Sequence, residues 1–97
     1  MVKNGYVYLL ECRGLHKVGV TININSRMNS YRTQNPFINI IAQRLTVYYK
    51  DIERFVVREF SSKVAYNKEW FRLNAKDVEF IKKVFSGAPI EEEEVSK

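Results

Sequence analysis

Apolar and aromatic residues fall in short runs separated by turn residues, and their spacing shifts from two to three or four along the chain. Gly5 to Cys12 (GYVYLLEC) is rich in β-branched, aromatic and aliphatic residues, which predicts a strand. Arg13-Gly14 supplies a turn, and Leu15 to Thr21 (LHKVGVT) predicts the hairpin partner. Asn23 or Asn25 is placed to cap a short helix running to about Arg32, which Gln34-Asn35-Pro36 ends. Phe37 to Tyr49, with polar Asn39, Gln43 and Arg44, reads as a third strand. Asp51 is read as the cap of a helix with Ile52, Phe55, Val56 and Phe60 at helical spacing. Glu69 to Leu73 (EWFRL) reads as a short extended piece. Asn74 caps a last helix carrying Val78, Ile81, Val84 and Phe85, and Gly87 and Pro89 stop it. The tight first hairpin makes the small sheet antiparallel and the class α+β.

Composition narrows the class further. At 97 residues the expectation is a single domain over 1–89, followed by an acidic tail, 90–97, read as a disordered solubilising end. A hydrophobic share of 45%, with 13% aromatic, argues for a packed core. One cysteine, Cys12, excludes an intramolecular disulfide, and with one histidine, His16, it excludes the usual Cys/His zinc sites in one chain. No apolar run approaches the roughly 18 residues of a membrane span, and the start lacks a signal-peptide pattern. The expectation is a soluble, intracellular protein. Charge is uneven: residues 1–89 hold fifteen Lys and Arg against seven Asp and Glu, a net +8. A basic domain of this kind meets a polyanion, with nucleic acid the leading candidate and an acidic membrane surface second.

Several side chains have the chemistry to act on such a partner. Tyr6 and Tyr8 are two apart on the first strand and share one face. His16, Lys17 and Gly19 lie on the facing strand, and Arg27 and Tyr31 are four apart on the first helix. Glu53 sits beside the apolar stripe of the second helix, in line with Val57 and Phe60. An oxygen ligand, phenols, a guanidinium and an ammonium suit metal-assisted phosphodiester hydrolysis. Each also has a plainer reading. The tyrosines suit cross-strand packing, Arg27 and Tyr31 a solvated helix face, Lys17 a surface strand, and Glu53 a pairing with Arg54. His16 is expected as an exposed neighbour, Cys12 as a small buried hydrophobe, and Trp70 and Phe71 as a seal on the core against the second helix. Glu69 and Asn67, beside Trp70 and Phe71, are left open as neighbours of the site, which the sequence alone does not show.

The ordered series Gly5-Tyr6-Val7-Tyr8, Lys17-Val18-Gly19, Arg27 and Tyr31 resembles the GIY-YIG nuclease superfamily. With Glu53, Phe60 and Glu69-Trp70-Phe71, it is similar to the bacteriophage-T5-type branch, where KIG replaces YIG and EWF closes the domain. The resemblance spans about residues 4–73 and implies a small three-stranded antiparallel sheet flanked by helices. It also implies DNA endonuclease activity with one divalent metal, Mg²⁺ or Mn²⁺. By the same resemblance either Tyr6 or Tyr8 is the general base or the group that positions the attacking water. Arg27 stabilises the phosphate charge, Tyr31 stands one turn after it, and Glu53 is the metal ligand. Two positions depart from the pattern. Lys17 replaces the tyrosine of most members, so it either pairs with phosphate or acts as a base with a lowered pKa. Val57 stands where the branch often has histidine, which leaves open a module of the same fold that binds nucleic acid without cutting it.

Overall fold

Two tight turns and two helices capped by asparagine side chains set the course of the chain in a computed structural model, which describes residues 3–87. Strands β1 (Gly5–Cys12) and β2 (Leu15–Thr21) form the expected hairpin. Arg13 and Gly14 turn it with φ of 52° and 87°, the left-handed pair that matches strand twist. Helix α1 (Ile24–Gln34) starts where the Asn23 side chain accepts from the Ser26 N–H at 3.0 Å. It ends at Asn35, whose extended backbone leads toward Pro36. Strand β3 (Asn39–Thr46) returns along the other side of β1.

Helix α2 (Tyr49–Glu59) begins three residues earlier than a cap at Asp51 would place it. Strand β3 correspondingly stops at Thr46, short of Tyr49, because the Tyr48 carbonyl already accepts from the Ile52 N–H at 2.9 Å. Asp51 is therefore not the cap; it lies in the first turn and binds Arg54 at 2.8 Å. A 3₁₀ turn at Ser61–Lys63 leads into β4 (Val64–Tyr66) and β5 (Trp70–Phe71). The last helix, α3 (Ala75–Ser86), opens on a reciprocal cap: Asn74 and Asp77 each accept the other's backbone N–H, at 2.8 and 3.0 Å. It closes on Gly87 at φ 89°, a left-handed position where glycine carries no Cβ penalty. The acidic tail and Pro89 lie outside the described residues.

The sheet has five strands in the order β3-β1-β2-β5-β4, antiparallel throughout, rather than the expected three. The two additional strands are a short hairpin added to the edge of β2. Strand alternation splits the core into two. Val7, Leu9 and Val18 point to one side and pack with Ile52, Val56, Phe60, Phe71, Ile81, Val84 and Phe85 under α2 and α3. Full burial of such side chains contributes roughly 1.5–3 kcal/mol each. On the opposite face Tyr8 and Leu10 pack with Ile24 and Met28 of α1 and with Ile38. Among the described residues no helix is long and apolar enough to cross a membrane.

Candidate active site

The face of the sheet beneath α1 gathers most of the side chains singled out by sequence. In register, Tyr8 stands between Gly19 of β2 and Gln43 of β3, Tyr6 between Thr21 and Leu45, and Leu10 beside Lys17. Tyr8 is fully buried, yet its phenol meets the polar edge of α1. Its hydroxyl lies 3.0 Å from the Tyr31 hydroxyl and accepts from Arg27 Nη1 at 3.4 Å. The two rings cross edge to face at 6.1 Å between centroids. The helical spacing of Arg27 and Tyr31 thus delivers a guanidinium and a phenol to one buried hydroxyl.

Gly19 makes this seat possible. A Cβ there would overlap the Tyr8 ring, with Cζ 2.5 Å away. The close approach that glycine allows here is that of the Tyr8 ring itself. Tyr6, half-buried, packs against the same cluster one pair nearer the strand start. The hydrogen bonds to Arg27 and Tyr31 run through Tyr8.

Lys17 completes the group. Its ammonium lies 5.5 Å from the centre of the Tyr31 ring and 5.9 Å from that of Trp70, and it binds Glu69 Oε1 at 2.6 Å. Trp70 therefore packs on the Tyr8 side of the sheet, whereas Phe71 alone seals the core beneath α2. Alternation along β5 sends the two rings to opposite faces. Glu69 is the residue of this site that the local pattern leaves open, because Lys17 and Glu69 are far apart in sequence and meet only through the sheet.

The electrostatics separate the roles these groups can take. Burial pushes the Tyr8 phenol well above its ordinary value, and the bond to Tyr31 adds to this; Arg27 pulls the other way and does not win. Tyr8 is thus a neutral phenol near pH 7. Burial also works against charge on Lys17, but the Glu69 hydrogen bond and the attraction of Tyr31 and Glu69 outweigh it and raise its pKa. Lys17 is accordingly a firm cation. Arg27 is charged at neutral pH as any guanidinium is, and its Nη1 donates to the neutral Tyr8 hydroxyl.

Glu53 stands apart from this group. It is half-buried on α2, whose neighbouring Ile52 and Val56 pack on the opposite face of the sheet from Tyr8. It makes no ion pair or side-chain hydrogen bond among the described residues, since Arg54 turns to Asp51 instead. A half-buried carboxylate without a cation is a hard oxygen donor of the type Mg²⁺ and Mn²⁺ accept. No three His, Cys, Asp or Glu side chains converge among the described residues. Val57, four residues on, is exposed.

His16 corrects another expectation. It is 8% exposed rather than a surface neighbour, because β5 pairs with β2 at His16 and Phe71 and covers it. Its Nδ1 has no hydrogen-bond partner among the described residues. Cys12 is half-buried, and its sulfur accepts from Asn35 Nδ2 at 3.4 Å.

No curated protein and no solved structure matches the chain. A family model does: the T5orf172 domain aligns with residues 5–86, from the first glycine of β1 to the last residue of α3. The match takes in both strands, the helix and the hairpin that build the cluster around Tyr8. The chain belongs to the T5orf172 domain family, a domain related to nuclease-associated modules.

Proposed function

We propose that this protein is a metal-dependent DNA endonuclease of the GIY-YIG type, hydrolysing phosphodiester bonds with one divalent cation, Mg²⁺ or Mn²⁺. The observation that carries the reading is the bonding of Arg27 and Tyr31 to one buried phenol, Tyr8, with Lys17 beside them. A guanidinium and an ammonium held next to a fixed hydroxyl form a seat for a phosphate and for a water poised to attack it.

The chain's own residues then divide the work. Lys17 takes a non-bridging phosphate oxygen as a point charge, and exposed Glu69 gives the ammonium up without leaving a buried charge behind. Arg27 faces the oxygens on which charge grows as the water attacks, and so favours the transition state over the ground state. Tyr8, neutral and buried, holds Arg27 and the half-exposed Tyr31 hydroxyl in place; through Tyr31 it positions the attacking water, whose proton passes to solvent while the departing oxygen takes one from solvent. Of the two candidate tyrosines, Tyr8 is favoured because its hydroxyl is the one bonded to Arg27. Glu53, which makes no contact with the Tyr8 cluster, is proposed for the cation on the motif resemblance alone; a cation held there would supply positive charge to the phosphate and acidify water only where the bound DNA brings the two together.

A second reading rests on Lys17 and Val57, which stand where the pattern has tyrosine and histidine: a module that binds DNA without cutting it. Supercoiled plasmid incubated with Mg²⁺ or Mn²⁺ separates the two. Nicking that chelator abolishes supports the endonuclease. Intact plasmid with a salt-sensitive gel shift supports the binding module instead.

A further inference from the structure

The β4–β5 hairpin carries chemistry that the cluster around Tyr8 does not use. Its turn is fixed: Asn67 and Lys68 have φ of 52° and 59°, and the Glu69 N–H donates to the Tyr66 carbonyl at 3.1 Å. Tyr66 and Trp70 are register partners across that turn, where a register shift between Val64 and Tyr66 marks a bulge. Trp70 packs against the Tyr8 cluster. Tyr66 is 60% exposed and Trp70 is half-buried. The indole lies next to the Lys17 ammonium, and Lys68 at the turn adds a further cation.

Exposed rings beside a row of cations match the chemistry of a single nucleic-acid strand, whose phosphates meet the cations while its bases stack on the rings. A base inside a duplex is already stacked on both faces and offers none to Tyr66. We infer that Tyr66 and Trp70 form a stacking site for an unpaired nucleobase of a DNA strand whose neighbouring phosphate lies at Lys17. Single-stranded or locally unpaired DNA is then the preferred ligand. This rests on the reading of the protein as one that acts on DNA.

Trp70 is the only tryptophan of the chain, so its fluorescence reports the site directly. In chelator, where no metal-dependent cleavage runs, short oligothymidylate should quench that fluorescence to saturation and bind more tightly than a hairpin duplex at equal salt. Tyr66→Ala should weaken oligothymidylate binding by about 5–150-fold, the range for one lost base–ring stack. The same variant should leave duplex affinity unchanged, and Tyr66→Phe should restore the loss. Inorganic polyphosphate, which has charge but no bases, should compete for binding without quenching. Oligothymidylate that binds by anisotropy with Trp70 emission unchanged and Tyr66→Ala silent would overturn the stacking site and leave the DNA reading standing. Failure of every DNA to bind at low salt would overturn both.

Discussion

Tyr8 lies with its ring against Gly19, its partner across the β1–β2 ladder, where a Cβ would overlap the ring. The third residue of the Lys17-Val18-Gly19 triplet therefore acts through the tyrosine rather than on the substrate. Gly19→Ala should displace the phenol from Arg27 and Tyr31. Forcing extra volume into a packed site typically costs about 1–3 kcal/mol, which thermal unfolding would read. Cleavage should fall further than stability does, and Tyr8→Phe, which needs no added space, should lower cleavage while the melting temperature holds. A Gly19→Ala protein of normal activity would separate the glycine from the site.

The Lys17–Glu69 pair is set at the surface on the Glu69 side, so its removal should hardly alter stability. Glu69→Gln instead frees Lys17 for phosphate. Duplex affinity in chelator should rise at low salt and converge with that of the wild type as salt screens the difference. Weaker binding by Glu69→Gln would mean that the carboxylate positions the ammonium rather than masks it.

His16 gives the fold a pH dependence. Burial lowers its pKa below the ordinary 6.5, against the pull of Glu11. The unfolded chain thus takes up the proton first as pH falls. Stability should be full above about pH 6.5 and decline from there toward the folded pKa. His16→Leu should flatten that decline in melting temperature and, by removing a buried Nδ1 without a partner, should not destabilise the protein at pH 7.5. An unchanged slope would assign the pH dependence to other groups.

Glu53 is the one acid proposed for the cation. Glu53→Gln should abolish cleavage and weaken Mn²⁺ binding measured by calorimetry, with DNA binding in chelator unchanged. Mn²⁺ binding that survives Glu53→Gln would place the cation elsewhere.

Much of this site is legible in local sequence, because the signals that build it are local. The period of two puts Tyr6 and Tyr8 on one face, the spacing of four aligns Arg27 with Tyr31, and Asn23 and Asn74 mark helix starts by their side chains. Of the β4–β5 hairpin only β5 is legible, within the extended piece Glu69–Leu73; β4 and the pairing are not. Val64, Ala65 and Tyr66 are all exposed, so no alternation marks them, and the Asn67-Lys68 turn has no glycine. Missing that hairpin conceals everything it covers: the burial of His16 beside Phe71, the ion pair of Lys17, and the placement of Trp70 on the Tyr8 face. The start of α2 escapes for a different reason, since no side chain caps it.

The central claim is that Arg27 serves the transition state of phosphodiester hydrolysis from its place on Tyr8. Single-turnover cleavage of bound DNA by Arg27→Ala, set beside its DNA affinity in chelator, tests this most directly. The cleavage rate should drop by about 10²–10³ with affinity nearly unchanged, as for other groups that stabilise developing charge. Arg27→Lys should recover only part of the loss, because an ammonium lacks the fork of the guanidinium. A variant that binds DNA more weakly yet cleaves what it binds at the wild-type rate would contradict the account and make Arg27 a phosphate anchor.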